Sequence, residues 1–369
     1  MKKNGGGHRY EYLKNLYDKA CGFTDRCTIF VVPYDRRLKT WNIDGQDSVI
    51  VDFLSDDDLK ALNQRNLLKA AFRRSKLVCR YVCKYQASHV FLVFLMLYMP
   101  FLLWMLPNRV KLSGIVYRSF LWEDTLKKGR IRICLEWFRY LLMAKSEKME
   151  KVLLLNDSQS AEAFNKSFDT DKFVRLPDPY TPLEGEMENI KELLGIGASD
   201  NLFVQIGQLS GRKGTLEILD ALCMLSSEEK IRNHFYFAGK VADGIRKEFY
   251  ARVDVLKSHG VHIYVKDEFV SFEFLNSLCA SCDCMLTPYR NTSQSSGAIG
   301  YAAQYGKPVI GPSKGLLGYL IKHYHLGYQV DEVCANDIYT AISNFKRISV
   351  PDEYVKDNQL SDFLRLCLN

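Results

Sequence analysis

The chain has 369 residues, 47% of them hydrophobic, 25% charged and 12% aromatic, a balance that excludes collagenous, low-complexity and wholly disordered proteins. At about 100–200 residues per domain, this length predicts two domains, each able to bury its own core. The net charge of +7 is uneven, with 31 basic and 20 acidic side chains in 1–180 against 19 and 23 in the remainder. The basic front can meet an anionic membrane or nucleic acid, whereas the acidic back favours neither.

In chain order, the front half alternates short β-branched runs with amphipathic patterns. A helix is predicted over 9–20, strands over 27–33 and 48–54, and one long helix over 59–85. Strands follow over 89–95 and 111–117, then a helix over 125–149, a strand over 152–155 and a helix over 159–168. Residues 90–106 are uncharged and as long as the shortest membrane span, but Pro100 interrupts them, so a buried strand followed by a buried helix is expected. Met1–Tyr10 lacks the apolar core of a secretory signal, and a cytoplasmic location is expected.

Leu176-Pro-Asp-Pro-Tyr180 then reads as a link between domains, because its two prolines end the periodic pattern. The back half repeats the theme. Strands are predicted over 202–206, 234–238, 261–265, 282–287 and 308–310, with helices over 214–225, 243–258, 272–280, 297–305 and 315–323. Alternating strands and helices imply parallel sheets, with ligands beyond the carboxyl ends of the strands. The 11 cysteines are odd in number and scattered through apolar stretches, as expected of buried free thiols in a reducing compartment. Cys279, Cys282 and Cys284 lie close together but lack a second pair at zinc-ligand spacing, so packed thiols are expected and no metal.

The most informative stretch is Phe203-Val-Gln-Ile-Gly-Gln-Leu-Ser-Gly-Arg-Lys-Gly-Thr215. A buried strand ends at Gly207, a Gly/Ser loop follows, and Arg212, Lys213 and Gly214 open a helix. Backbone N–H groups at a helix start attract anions, and two cations strengthen the pull. A diphosphate is one reading; a solvated helix start with two surface cations is the other. The P-loop spacing is absent. Tyr289-Arg-Asn-Thr-Ser-Gln-Ser-Ser-Gly-Ala298 repeats the arrangement, with Ser295, Ser296 and Gly297 offering N–H and hydroxyl donors at a second helix start.

These residues resemble a known family. Gly207-Gln-Leu-Ser-Gly-Arg-Lys-Gly214 and the helix after it are similar to the donor-binding loop of GT-B retaining glycosyltransferases of the group 1/family 4 type. Phe237-Ala-Gly239, Phe269-Val270, the strand ending at Thr287-Pro288 and Ala302-Ala-Gln-Tyr-Gly-Lys-Pro-Val-Ile310 keep the family's order over 175–335. The resemblance implies an α/β fold of two Rossmann-like domains facing a central cleft. It places an acceptor-side domain at 1–175, a nucleotide-sugar donor domain at 176–335, and C-terminal helices at 336–369 that return towards the first.

By position, Lys213 matches the family's diphosphate-binding lysine, and Gln208 replaces its partner arginine, for which Arg212 can substitute. The family's two glutamates fall at Ser293 and Tyr301, which would otherwise meet the donor sugar and the ribose. Residues 266–270, including Glu268, Phe269 and Val270, would approach the base. Gly5, Gly6 and Gly7 match a turn that touches donor phosphate, and with only four residues before them the first strand is expected to be missing. No catalytic side chain is identified. The family's front-domain histidine has no counterpart in Ser113–Phe120, where Tyr117 and Arg118 lie, and His89 reads as structural.

The activity implied is sugar transfer, with retention, from a nucleotide-sugar to a glycan or lipid-linked acceptor in surface polysaccharide synthesis, without metal or other cofactor. The helix over 67–85 carries Lys69, Arg73, Arg74, Lys76, Arg80 and Lys84 among apolar residues, so it can lie on an anionic membrane or simply cover the sheet. No nucleic-acid motif is present. One rival reading is a non-catalytic GT-B relative that binds nucleotide or sugar. A nucleotide-sugar epimerase is another, but it needs acidic and histidine residues that are not found.

Overall fold

The computed structural model describes residues 8–35, 38, 41, 48–62, 66–123, 129–179 and 187–368. Gly5, Gly6 and Gly7, and the four residues before them, lie outside these. The chain divides into two compact units, one running to Pro177 and including Leu360–Asn369, the other Asp178–Gln359. Among the described residues, no helix is long and apolar enough to cross a membrane.

The first unit begins with α1 (His8–Ala20), β1 (Thr28–Val32), β2 (Val49–Phe53), α2 (Asp56–Leu62) and α3 (Leu67–Tyr85). It continues through β3 (His89–Leu92), α4 (Phe101–Met105), β4 (Lys111–Val116), α5 (Arg130–Lys145), β5 (Met149–Leu155), α6 (Ser158–Phe168) and β6 (Phe173–Leu176). β1 pairs with β2, and β3-β4-β5-β6 form a second sheet in that order, all pairs parallel. On one face of the second sheet α3, α4, α5 and α6 bury Val82, Leu102, Tyr140 and Phe164 against Leu112 and Val152. A second cluster joins Tyr12 and Leu16 of α1 and Phe363 of the C-terminal helix (Leu360–Leu368) to Phe30 of β1, Ile115 of β4 and Leu153 of β5.

Two expectations change here. The helix predicted over 59–85 is two helices, because Asn66 caps α3 by accepting from the N–H groups of Leu68 and Lys69, both at 3.1 Å. Such a cap gives a helix start of its own and so interrupts an otherwise continuous apolar period. The helix predicted over 125–149 ends at Lys145, and β5 starts at Met149. His89 is placed structurally: its Nε2 lies 3.1 Å from the Ser113 hydroxyl, joining β3 to β4.

The second unit comprises α7 (Ile190–Leu193), β7 (Asn201–Ile206), α8 (Thr215–Leu222), α9 (Ser227–Arg232), β8 (Asn233–Ala238), α10 (Asp243–Ser258), β9 (His262–Lys266) and α11 (Phe272–Ser281). Then come β10 (Cys284–Leu286), α12 (Gly297–Gln304), β11 (Val309–Pro312), α13 (Gly315–His323), β12 (Gly327–Val330), α14 (Ala335–Ser343) and α15 (Glu353–Asp357). The parallel sheet has the order β12-β11-β10-β7-β8-β9. α8, α10 and α14 bury Ile218, Phe249 and Ile338 with Phe203 and Phe235 on one face. Each such side chain removed from water contributes about 1.5–3 kcal/mol. α14 and α15 therefore stay within this unit, and of the helices over 336–369 only the last joins the first unit.

All 11 cysteines are free, but the expectation of burial holds only in part. Cys279, Cys282, Cys284 and Cys367 are buried, whereas Cys27, Cys83, Cys134 and Cys223 are exposed. Burial raises the Cys279 and Cys284 thiols well above their usual range and pushes Cys282 up to about 12. Thiols held protonated in this way are poor nucleophiles.

Candidate functional site

In the second unit the order of strands reverses at β7. The chain moves outward from β7 to β8 and β9, then returns to β10 on the other side of β7. In an open parallel sheet such a switch point leaves a crevice at the carboxyl ends of the two central strands. The loops singled out from sequence, 207–214 after β7 and 287–296 after β10, both start there.

Glycines let the two loops approach each other. Gly214 has φ +67, and a Cβ on it would collide with the carbonyl oxygen of Pro288. Gly207 has φ +79, and a Cβ on Gly239 would collide with the Gly207 carbonyl. Only glycine tolerates both the left-handed backbone and the contact. The Arg290 N–H donates to the Arg212 carbonyl at 3.0 Å, and Arg290 pairs with Glu217 of α8. Beneath the first loop, buried Gln205 donates to the Lys213 carbonyl at 2.9 Å, and the Thr215 hydroxyl accepts from the Ser210 N–H at 3.0 Å.

Lys213 is the best-placed cation. Its ammonium donates to the Ile206 carbonyl at 2.8 Å and lies 5.2 Å above the centre of the Tyr289 ring. It sits so close to Gly207 that a Cβ there would come within 2.7 Å of Nζ. An ammonium has three donors, and among the described residues only this carbonyl accepts from Lys213. Gln208 and Arg212 are exposed beside it.

At the second loop the sequence reading needs correction. Ser295, expected to offer its hydroxyl, donates it to Asp178 at 2.6 Å. Ser296 caps α12 by accepting from the Ala298 N–H at 3.3 Å. Ser293 is buried and donates to the Asn291 side chain at 3.0 Å, within its own turn. Tyr301 is buried in α12 at 2% exposure, because the helix Gly297–Gln304 buries every residue from Ala298 to Ala303. What this loop presents is thus the start of α12 at Gly297 rather than a row of side-chain hydroxyls.

The third segment, 267–271, follows β9 at the same end of the sheet. Glu268 pairs with Lys266 at 3.3 Å, Phe269 is 66% exposed and Val270 is half-buried. Its anchor, absent from the sequence reading, is Asp267. It accepts from the Val241 N–H at 2.8 Å and the Tyr250 hydroxyl at 2.9 Å, and pairs with Arg246 at 2.6 Å. Burial raises its carboxyl pKa, but these donors outweigh that and hold it below the usual value. The signal was available, since Arg246 and Tyr250 stand four apart on one face of α10. Asp267→Ala is expected to cost about 1–3 kcal/mol by freeing this segment. Because the folded pKa is depressed, the contribution of Asp267 is present above about pH 4 and lost as pH falls below it. Urea titrations across pH 3–7 should show a flatter acid limb for Asp267→Asn than for the wild type.

In the first unit, Tyr117 stacks on Phe94 at 4.9 Å and Arg118 pairs with Glu123. Among the described residues no three His, Cys, Asp or Glu side chains group to hold a metal ion.

No family model and no curated protein matches the sequence. Solved structures do match. The trehalose-phosphate synthase of Burkholderia vietnamiensis superposes with a TM-score of 0.68 at 9% identity, over 92% of this chain and 98% of its own. HepE from Anabaena, solved with UDP and glucose, gives 0.65 at 15% identity over 98% and 96%. The chain has the GT-B fold. WaaG, a glycosyltransferase of lipopolysaccharide biosynthesis, has the same GT-B fold, with a TM-score of 0.61 at 14% identity over 99% of this chain and 90% of its own.

Proposed function

We propose that this GT-B chain is a glycosyltransferase that takes a nucleotide-sugar in its second unit and transfers the sugar, with retention, to a glycan or lipid-linked acceptor held by its first. The observation that carries this reading is Lys213 above Tyr289, between two glycine-closed loops at the switch point of the sheet. Departure of a nucleoside diphosphate develops negative charge, and preorganised cations and helix-start N–H groups stabilise such charge most where water is excluded. Lys213, with Arg212 beside it, meets the diphosphate, and the start of α12 at Gly297 faces the same anion. The segment 267–271 carries the base, with the exposed Phe269 ring available for stacking. HepE, of the same fold, is solved with UDP-glucose, which supports a donor of this class. The transfer runs without metal, in the cytoplasm at a membrane surface, as a step in surface polysaccharide synthesis.

A second reading has its own support. Ser293 and Tyr301, where the resembled family carries glutamates, are both buried, and a chain lacking them could bind nucleotide without transferring sugar. Incubating the protein with UDP-, GDP- and ADP-sugars and lipid-linked acceptors, and measuring released nucleoside diphosphate, separates the two. Acceptor-dependent release, with the product anomer read by NMR, supports transfer. Nucleotide binding without any release supports the second reading.

A further inference from the structure

The basic helix, which by its sequence can lie on a membrane or cover the sheet, is partly committed within the fold. In α3, Arg80 donates to both oxygens of Asp58 at 2.7 Å, Lys84 donates to Asp52 at 2.6 Å, and Arg74 donates to the Leu62 carbonyl at 2.7 Å. The remaining cations, Lys69, Arg73 and Lys76, are exposed and form no ion pair among the described residues. They share the first half of α3 with Leu67 at 79%, Leu68 at 68% and Phe72 at 48% exposure. Phe72 packs edge-on against Phe101 of α4, 5.8 Å away, and Phe101 packs likewise against Trp104, which is 60% exposed. Leu68, Phe72 and Phe101, with Lys69 and Arg73, line a shallow hollow of about 420 Å³.

α5 adds exposed apolar side chains on the same side of the sheet. α3, α4 and α5 bury their inner sides in one apolar cluster on one face of the sheet, so their exposed side chains share the outer face of a single layer. On α5 that face carries Ile131, Leu135 and Phe138, each more than half exposed and spaced four and three apart. Arg130 and Arg132 flank this stripe, exposed and without an ion pair among the described residues. Neither α3 nor α4 contains a carboxylate, and the one on α5, Glu136, is taken by Arg139 at 3.1 Å. The layer thus pairs a wide apolar and aromatic surface with unneutralised cations. Exposed apolar side chains in this number mark an interaction site.

We propose that the outer face of α3, α4 and α5 docks on an anionic lipid surface, with Phe72, Trp104 and the α5 stripe entering the headgroup boundary while Lys69, Arg73 and Arg130 meet lipid phosphates. Charge complementarity selects the occupant. An aromatic and aliphatic face ringed by uncompensated cations suits anionic headgroups over an acyl interior, and Trp prefers that boundary. The surface engages at the interface, since no described helix is long and apolar enough to span. The proposal deepens the membrane-side part of the proposed function and stands apart from the donor site.

Flotation of the full chain with phosphatidylcholine vesicles, with and without phosphatidylglycerol, tests it. Recovery with the anionic vesicles alone, falling as salt rises, is expected. Phe72→Ser/Trp104→Ser and Lys69→Glu/Arg73→Glu should each weaken vesicle partition on the order of tenfold. Lys247→Glu/Lys257→Glu makes the same charge change on α10 and should leave partition unaltered. Equal recovery on both vesicles, no recovery, or α3 variants that partition like the wild type would overturn the proposal. So would a dimer in sedimentation that Phe72→Ser/Trp104→Ser dissociates, since the face would then belong to a second copy. Nucleoside diphosphate affinity, measured on the same variants without vesicles, reports separately on the donor site.

Discussion

Lys213→Ala is expected to lower sugar-transfer turnover by on the order of 10²–10³-fold, the usual loss when one preorganised donor to a developing anion is removed. The Lys213 ammonium spends one donor on the Ile206 carbonyl and lies over the Tyr289 ring, so it is fixed at the loop, and no carboxylate among the described residues neutralises it. On the proposed function, losing it removes charge where the diphosphate would leave, while β7 and its loop keep their backbone contacts. Far-UV circular dichroism and melting should be unchanged, and the loss should appear in kcat as well as kcat/KM. Arg212→Ala should cost less, because Arg212 is an exposed guanidinium in a more strongly screened position.

Gly214→Val is expected to destabilise the second unit by about 3 kcal/mol or more. A left-handed residue other than glycine costs about 1–2 kcal/mol, and here the new Cβ also meets the Pro288 carbonyl, which forces the loops after β7 and β10 apart. Overpacking of this kind adds about 1–3 kcal/mol. The melting midpoint should fall by roughly 6–12 °C, and nucleotide affinity should fall with it because both walls of the site shift. Gly244→Ala is the contrast. It lies in the first turn of α10 with open space around its Cβ, so it should be neutral or stabilising by about 0.4–1 kcal/mol. Equal melting of the two variants would show that the close approach at Gly214 does not hold the site together.

Much of this architecture is legible in the sequence because strands and helices alternate with clean periods. The core strands of the second unit and the helix Asp243–Ser258 carry patterns that leave little choice. What escapes has specific causes. β6 carries Arg175 in its short run of four residues, and β12 starts at Gly327 with φ +140. The Leu67 helix start is hidden because Asn66 interrupts an apolar period that continues on both sides.

In the site, Lys213 and the two helix starts follow from loop composition. Asp178, which takes the Ser295 hydroxyl, comes from a link 117 positions away. The Gly214–Pro288 and Gly239–Gly207 approaches join residues that no local spacing connects. Ser295 and Tyr301 looked available because sequence position alone does not show which hydroxyl is already spent or which face of a helix is covered. Likewise the row of cations in α3 did not reveal that Asp52 and Asp58 neutralise its second half.

The most direct test of the account is calorimetric titration of the wild type and Lys213→Ala with UDP, GDP and ADP, without acceptor or vesicles. The account predicts that at least one of these nucleoside diphosphates binds the wild type. It predicts about ten- to hundredfold weaker binding to Lys213→Ala, the loss of one charge-assisted hydrogen bond worth about 1.5–3 kcal/mol. Binding that Lys213→Ala leaves unchanged, or no binding of any of the three to the wild type, would contradict it.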